Sequence, residues 1–214
     1  MNALKADLIK GYREFRAGDY PAQKALYEKL GTKGQAPKVM LIACADSRVD
    51  PTDIFNAYPG EMFVARNVAN LVPAPESNNT YHGTMAAVEY AVKVIGVEMI
   101  VVLGHESCGG IQGCIAGLGH DPEGGYVNRW VSQINHVHER VKAKGVSDEC
   151  MQFEMELETI RQSIANLEKF DFIKTKMEAG TLALQGAYFS IIQARLMLAN
   201  DALEFETIEV SAET

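Results

Sequence analysis

In the stretch Lys38-Val-Met-Leu-Ile-Ala-Cys44-Ala-Asp46-Ser-Arg48, a short apolar run leads directly into a cluster of polar side chains. The same arrangement is found in Met99-Ile-Val-Val-Leu-Gly-His105-Glu-Ser-Cys108-Gly-Gly. Apolar runs of this length are typical of strands that are buried on both faces of a parallel sheet. We therefore predict strands over Lys38–Ala43 and Met99–Leu103, each followed by a loop that carries polar, potentially reactive side chains.

Two further segments complete a strand–helix–strand unit. A third apolar run is Met62-Phe-Val-Ala65, and a largely apolar helix is predicted from Thr84 to Val94, ahead of the strand that begins at Met99. A strand, a helix and a strand in this order predict a parallel sheet with right-handed crossovers. The predicted fold class is therefore α/β, with a central, mainly parallel β-sheet flanked by helices.

The segments on either side of this unit are mainly helical. Residues 1–30 predict two amphipathic helices, the second capped by Asp19, which could pack on their own core or on another subunit. The run of charges from Glu154 to Glu168 predicts an exposed helix face. The remaining predicted elements are helices over Tyr126–Lys144 and Gln152–Glu178, a strand over Leu182–Ile192 and an edge strand over Phe205–Val210.

The bulk composition narrows the classes of function. The chain has 214 residues, of which 47% are hydrophobic and 22% charged, as in an ordinary globular protein. Its formal net charge of −8 argues against a nucleic-acid partner, which would need a basic surface. It contains neither a signal-peptide pattern nor the roughly 20 consecutive apolar residues that span a bilayer. We therefore expect a cytoplasmic protein with no membrane or nucleic-acid partner, whose cysteines are reduced.

The polar residues after the two strands form a candidate metal site. Ligands of open parallel sheets gather at the carboxyl ends of the strands, so neighbouring strands would bring Cys44, His105 and Cys108 together. Two thiolates and an imidazole suit zinc, and three protein ligands leave a fourth tetrahedral position open, as in catalytic zinc sites. A single cysteine after a strand is more often a small core residue. The placement of both clusters at strand ends nevertheless favours a site.

The charged pair in the first cluster strengthens that interpretation. Asp46 and Arg48 lie two residues apart in an extended segment, so their side chains can project to the same side and form a bidentate pair. Such a pair could simply be a salt bridge at the end of the strand. Beside a zinc ion, however, Asp46 would orient the attacking hydroxide, and Arg48 would keep Asp46 ionised and oriented.

These motifs resemble those of the β-class carbonic anhydrases. The likeness runs from about Gly34 to Gly113 and is closest to the plant-type subgroup. It is carried by Cys44-x-Asp46-x-Arg48, His105-x-x-Cys108-Gly-Gly, Gly-Gln35-Ala-Pro-Lys, Pro-Gly-Glu-Met-Phe63-Val, Arg66-Asn-Val68-Ala-Asn and Glu-Tyr90-Ala-Val. The resemblance implies a single domain over 1–214, with an N-terminal helical arm at 1–30, a zinc-site core at 38–113, and a helical and C-terminal strand region at 126–214.

The resemblance also implies the function and its machinery. Family members hydrate carbon dioxide reversibly to bicarbonate and a proton, with one zinc ion per chain, held here by Cys44, His105 and Cys108. Asp46 and Arg48 would be the catalytic pair. The active site would be a narrow cleft at the interface of a homodimer, or of a higher assembly of dimers, with the N-terminal helices packing on the partner. The residues expected to bind the substrate are Gln35, Phe63, Val68, Tyr90 and Gly109, the last of which, with Gly110, would let the backbone pass close to the metal.

The same residues are also compatible with other functions. Some relatives hydrolyse carbon disulfide or carbonyl sulfide on the same zinc scaffold. Alternatively, Asp46 could close the metal as a fourth ligand in a non-catalytic zinc protein. A dithiol redox function is disfavoured, because the chain has no Cys-x-x-Cys motif.

Several positions separate this chain from other members of the family. Val94 stands where some plant-type members carry a histidine that passes the proton to solvent, so turnover should depend on buffer. A second subgroup closes its site at lower pH and binds bicarbonate through a tryptophan, an arginine and a tyrosine. Here the arginine is Arg66, but the aromatic positions are Leu41 and Phe189. The resemblance therefore implies a site that stays open at neutral pH, with Asp46 paired to Arg48.

Overall fold

The computed structural model describes residues 3–75, 82–121 and 123–209. Within it the chain forms two compact units, Met1–Ala36 and Pro37–Thr214. The first unit contains only helices, and the second contains the whole sheet.

The first unit is a pair of helices, α1 (Ala3–Ala17) and α2 (Asp19–Lys33), in agreement with the prediction. The two helices pack together through Phe15, whose ring centroid lies 6.0 Å from that of Tyr20 and 5.9 Å from that of Tyr27. Because a single residue connects the helices, Gly18 is the N-cap of α2 and the prediction that Asp19 caps it is wrong. None of the described residues of either helix is buried.

The second unit is built on a six-stranded sheet. Its strands are β1 (Val39–Cys44), β2 (Met62–Asn67), β3 (Met99–His105), β4 (Ala183–Ser190), β5 (Arg195–Ala199) and β6 (Phe205–Thr207). Their order is β2-β1-β3-β4-β5-β6, with β1 to β4 parallel and the last two strands antiparallel along one edge. This confirms the predicted α/β class. Strand β5 was not predicted, and the predicted edge strand is shorter than expected, with Val210 outside the described residues.

Helices pack against the sheet and around the loops that leave it. They are α3 (Pro51–Ile54), α4 (Gly83–Tyr90), α5 (Gly109–Ile115), α6 (Tyr126–Val131), α7 (Asn135–Ala143), α8 (Asp148–Leu167) and α9 (Asp171–Glu178). Helix α4 continues as a π-helical turn, Ala91–Ile95, and 3₁₀ turns occupy Val68–Asn70 and Ser132–Ile134.

Two helices that the periodicity predicts as continuous are interrupted. The first breaks at the 3₁₀ turn after α6, where the Asn135 side chain donates to the carbonyl of Gly119 and anchors the chain to the preceding loop. The second breaks between α8 and α9, where Phe170 takes an extended conformation and packs against the core. In both places tertiary contacts outweigh local helix propensity.

Helix α8 lies directly against the centre of the sheet. A Cβ atom added at Gly104 in β3 would lie 2.7 Å from Ile160 Cδ1, and one added at Gly186 in β4 would lie 3.2 Å from Ile160 Cγ2. The absence of a side chain at these two positions therefore lets the helix approach the sheet closely.

The charges between Glu154 and Glu168 do not form the exposed face that the sequence predicts. Glu156 and Glu158 are only 3% and 8% exposed, because α8 packs against β3 and β4 and also against α5 and α7. Glu158 forms ion pairs there, whereas Glu156 turns toward the loop that follows β3. The expectation of a solvated face is therefore wrong for the middle of this helix.

Candidate metal centre

The loops after β1 and β3 leave the sheet side by side. The two strands pair in parallel with Ala43 opposite Leu103, so Cys44 and His105 lie at the same edge. Cys44, His105 and Cys108 are all buried, and their ligand atoms all lie within 4.8 Å of one another. The two sulfur atoms are 3.8 Å apart. The structure thus brings together the three side chains that the sequence nominates.

The histidine of this group is oriented as a ligand would be. His105 Nδ1 lies 2.9 Å from the backbone carbonyl oxygen of Glu106, to which it can donate. The other ring nitrogen, Nε2, is buried and has no hydrogen-bond partner among the described residues. A proton on Nδ1 leaves a lone pair on Nε2, which is the tautomer of a metal-ligating histidine. The orphaned nitrogen beside two thiols fits a bound zinc ion.

The two thiols influence each other's protonation. The hydrogen bond from Cys108 lowers the pKa of Cys44, while the same contact and burial raise the pKa of Cys108. Two sulfurs at this separation share a proton, since both cannot ionise together without a cation between them. A divalent cation would displace that proton and hold both groups as thiolates.

A carboxylate–guanidinium pair borders the cluster. Arg48 Nε donates to Asp46 Oδ1 at 2.9 Å, and Arg48 Nη2 donates to Asp46 Oδ2 at 2.7 Å. The Arg48 guanidinium therefore holds the pKa of Asp46 far below its usual range. Asp46 Oδ2 also lies 4.0 Å from His105 Nε2, so the carboxylate faces the cluster while both its oxygens remain on the arginine.

Arg66, on β2, holds the backbone of the first loop. Its Nε donates to the carbonyl of Cys44 at 2.8 Å, and its Nη2 donates to the carbonyls of Asp46 and Val49 at 2.6 and 2.8 Å. Its Nη1 lies 3.3 Å from Asp50 Oδ2. All three guanidinium nitrogens are thus used by the loop.

The second loop is held in an unfavourable backbone conformation. Ser107, between the two ligands of this loop, has a φ of +56°, and Ala69 and Asn70 in the adjoining 3₁₀ turn have φ values of +64° and +47°. Non-glycine residues in this region cluster at functional sites, where the surroundings must hold them. A Cβ atom at Gly110 would lie 2.7 Å from Val68 Cγ1, whereas one at Gly109 would meet no described atom within 4 Å. Gly110 therefore packs closely on Val68. Passage of the backbone close to the metal at Gly109 and Gly110 stays a prediction.

The predicted cleft residues are divided between the two compact units, with Gln35 in the first and the others in the second. The rings of Phe63 and Tyr90 lie with their centroids 5.9 Å apart, and Tyr90 is 47% exposed. Val68 is 38% exposed and packs beside Gly110, and its carbonyl accepts a hydrogen bond from Trp130 Nε1 at 2.8 Å.

Sequence reasoning missed a buried polar group behind the second loop. Glu156 Oε1 accepts the backbone N–H of Cys108 at 2.9 Å and also the Gln152 amide. Glu156 Oε2 accepts the Tyr188 hydroxyl at 2.9 Å. Burial raises the pKa of Glu156, and burial together with Glu156 raises that of Tyr188. One signal was available, because Glu156 lies four residues before Ile160 and therefore on the apolar stripe of the helix.

Fold and site together define an α/β protein with two thiols and one imidazole that could hold a metal ion at the carboxyl ends of adjacent parallel strands. A family model described as carbonic anhydrase matches residues 39–196. The chain is 33% identical to Beta carbonic anhydrase 3 of Arabidopsis thaliana, over 97% of this chain and 82% of that protein. The chain belongs to the β-carbonic anhydrase family, whose enzymes are carbonate dehydratases of the lyase class.

Solved structures agree with this assignment. The β-carbonic anhydrase CcaA is 27% identical with a TM-score of 0.88, covering 98% of this chain and 94% of that chain. A tetrameric β-carbonic anhydrase of Sordaria macrospora is also 27% identical, with a TM-score of 0.73 and coverage of 92% and 94%. No helix within the described residues is long and apolar enough to cross a membrane.

Proposed function

We propose that this chain catalyses the reversible hydration of carbon dioxide to bicarbonate and a proton, with one zinc ion held by Cys44, His105 and Cys108. The observation that carries this proposal is the convergence of two thiols on a histidine nitrogen that has no partner among the described residues. When bound, zinc supplies Lewis acidity that makes water a competent nucleophile at neutral pH.

The charged pair directs the nucleophile. Asp46 Oδ2, fixed by Arg48, accepts a hydrogen bond from the attacking oxygen and so aims its lone pair at the carbon of carbon dioxide. Arg48 keeps this carboxylate ionised and donates a hydrogen bond to each of its oxygens. Because both oxygens of Asp46 are on Arg48, the geometry favours an open centre over one closed by Asp46. The open state at neutral pH is further supported by Arg66, four of whose five guanidinium N–H groups donate to the first loop.

The cleft provides the substrate environment. In this proposal Phe63, Val68 and Tyr90 line an apolar wall for carbon dioxide, Gln35 hydrogen-bonds the bicarbonate, and Gly109 leaves room beside the centre. The wall is supported by the contact between the tilted rings of Phe63 and Tyr90 and by the space around Gly109.

The same proposal includes the assembly. We expect each chain to be a single domain over 1–214. We also expect a homodimer or a higher assembly of dimers, in which the 1–30 arm packs on the partner. Supporting this, α1 exposes Leu8 to 77% and Tyr12 to 62%, and the Sordaria relative is tetrameric. A cytoplasmic location, which keeps the ligand thiols reduced, completes the proposal. Light scattering that finds an active monomer would contradict the assembly.

Metal analysis with stopped-flow hydration assays tests the function. We expect one zinc per chain, and loss of most of it in Cys44→Ser, His105→Ala and Cys108→Ser. Cys114→Ser is the matched control, because Cys114 is an equally buried thiol outside the cluster. Full zinc content in any ligand variant would overturn the assignment. Zinc without carbon dioxide hydration, but with hydrolysis of carbonyl sulfide or carbon disulfide, would favour the alternative reaction.

A further inference from the structure

One peptide unit of the second loop is held at both of its polar ends. The carbonyl oxygen of Ser107 accepts a hydrogen bond from Arg48 Nη2 at 3.0 Å, and the N–H of Cys108 donates to Glu156 Oε1 at 2.9 Å. These two groups belong to the same planar amide and point in opposite directions. A hydrogen-bonded chain therefore runs from Asp46 through Arg48 and this amide to Glu156.

Glu156 is itself immobilised by donors only. The Gln152 amide and the Tyr188 hydroxyl both donate to its carboxylate, so its acceptor capacity is filled from α8 and β4. Gln152 Nε2 also donates to the carbonyl of Cys108 at 3.2 Å. Two side chains one turn apart on α8 thus bind both backbone polar groups of a single residue.

A comparison with Glu158 shows that this carboxylate is unusual. Glu158, on the same helix, is 8% exposed and lies within ion-pair distance of Lys144, Arg140 and Arg161. Glu156 is 3% exposed, and no cationic side chain within the described ranges pairs with it. A buried carboxylate without a cation is costly, so its hydrogen bonds need a purpose that an apolar side chain could not serve.

We infer that Glu156 is a positioning residue for the metal centre. By accepting the Cys108 N–H, it fixes the rotation of the Ser107–Cys108 amide, and that rotation sets both the direction of Cys108 Sγ and the carbonyl that steadies Arg48. Ser107 has a left-handed φ, so this amide would turn away without a partner at each end. The inference rests on the proposed function, since it assumes that the centre binds zinc.

Zinc affinity measured against a competing chelator tests it. Glu156→Leu removes the acceptor and should weaken zinc binding about 10- to 100-fold, the range typical of lost outer-shell contacts. Glu156→Gln keeps a carbonyl oxygen for the Cys108 N–H and should restore affinity to within about 3-fold of wild type. Glu158→Gln, the matched control, should lower thermal stability and leave zinc affinity unchanged. In cobalt-substituted protein, only Glu156→Leu should shift the visible absorption bands.

A second variant covers the case in which Glu156→Leu does not fold. Gln152→Leu lies at a partly buried position and removes the amide that donates to Glu156 Oε1, so Glu156 should be held less firmly and zinc binding should weaken about 10-fold. Unchanged affinity in the folded variants, or equal weakening in Glu156→Leu and Glu156→Gln, would overturn positioning through the amide. A wild-type chain that binds no zinc would instead overturn the proposed function.

Discussion

The loops that follow β1 and β3 meet at one site, but side chains of opposite charge hold them. Arg66 donates to three carbonyl groups of the first loop, those of Cys44, Asp46 and Val49. In the second loop, Glu156 accepts the backbone N–H of Cys108. A cation thus fixes carbonyl oxygens of the first loop and an anion fixes an amide N–H of the second, while Arg48 reaches from the first loop to the Ser107 carbonyl of the second.

The difference follows from the surroundings of each loop. The Arg66 side chain that holds the first loop is 28% exposed, whereas Cys108 and Glu156 are 1% and 3% exposed. Charges near water can be retained at little cost, but a buried polar group must have its hydrogen bonds satisfied. We therefore expect substitution of Asp46 in the first loop to alter the chemistry, and substitution of Glu156 or of the glycines after the second loop to alter metal binding and packing.

The largest expected effect is in the first loop. Asp46→Asn removes the oriented carboxylate, and kcat/KM for carbon dioxide hydration should fall about 10²- to 10⁴-fold, the range for general acid–base groups. Zinc content should be unchanged, because Asp46 is bonded to Arg48 and not to the ligands. Asp50→Asn is the control, since Asp50 also contacts an arginine but lies outside the cluster. Loss of zinc in Asp46→Asn would instead show that the carboxylate is a metal ligand, and would contradict the separate roles of the two loops.

The next effect concerns Arg66, whose hydrogen bonds hold the first loop. Arg66→Lys keeps the charge but has one side-chain nitrogen, which cannot take the positions of both Nε and Nη2, so carbonyl contacts are lost and the free energy of unfolding should fall by about 2–4 kcal/mol. Urea denaturation measures this change. Arg129→Lys provides the baseline, because Arg129 is a 67% exposed arginine whose nearest carboxylate is 3.7 Å away. Equal stability of Arg66→Lys and wild type would show that the carbonyl contacts do not hold the loop.

A smaller effect is expected from adjacent glycines after the second loop. In Gly110→Ala the new methyl group would lie 2.7 Å from Val68 Cγ1, and overpacking of this kind should cost about 1–3 kcal/mol of unfolding free energy. In Gly109→Ala the methyl group meets no described atom within 4 Å, so the change should stay within about 0.5 kcal/mol. Thermal denaturation of the pair distinguishes close packing from a general intolerance of side chains. Equal losses would place the constraint in the backbone instead.

The two loops also differ in how far the sequence predicts them. Cys44, Asp46 and Arg48 fall within five residues directly after a predicted strand, so their meeting could be inferred from one motif and the parallel sheet. Glu156 is 48 residues from the Cys108 amide that it binds, and charge composition alone assigns it to solvent. The packing of α8 against the sheet reverses that assignment, and the only sequence signal for it is the position of Glu156 four residues before Ile160. The same limit applies to the left-handed φ of Ser107, for which no glycine or asparagine provides a signal.

The smallest expected effect lies outside both loops, in proton release. The only histidine in either loop is His105, which the centre uses, so neither loop offers a free imidazole to carry the proton to solvent. Turnover should therefore rise with buffer concentration. Val94 is 66% exposed on the turn after α4, four residues beyond Tyr90, so a histidine there would be solvated and near its ordinary pKa of about 6.5. Val94→His should raise kcat several-fold at low buffer and leave it unchanged at saturating buffer, as measured by stopped flow. Val127→His is the control, because Val127 is 51% exposed on α6. Turnover of the wild type that does not depend on buffer would show that a group already in the chain carries the proton.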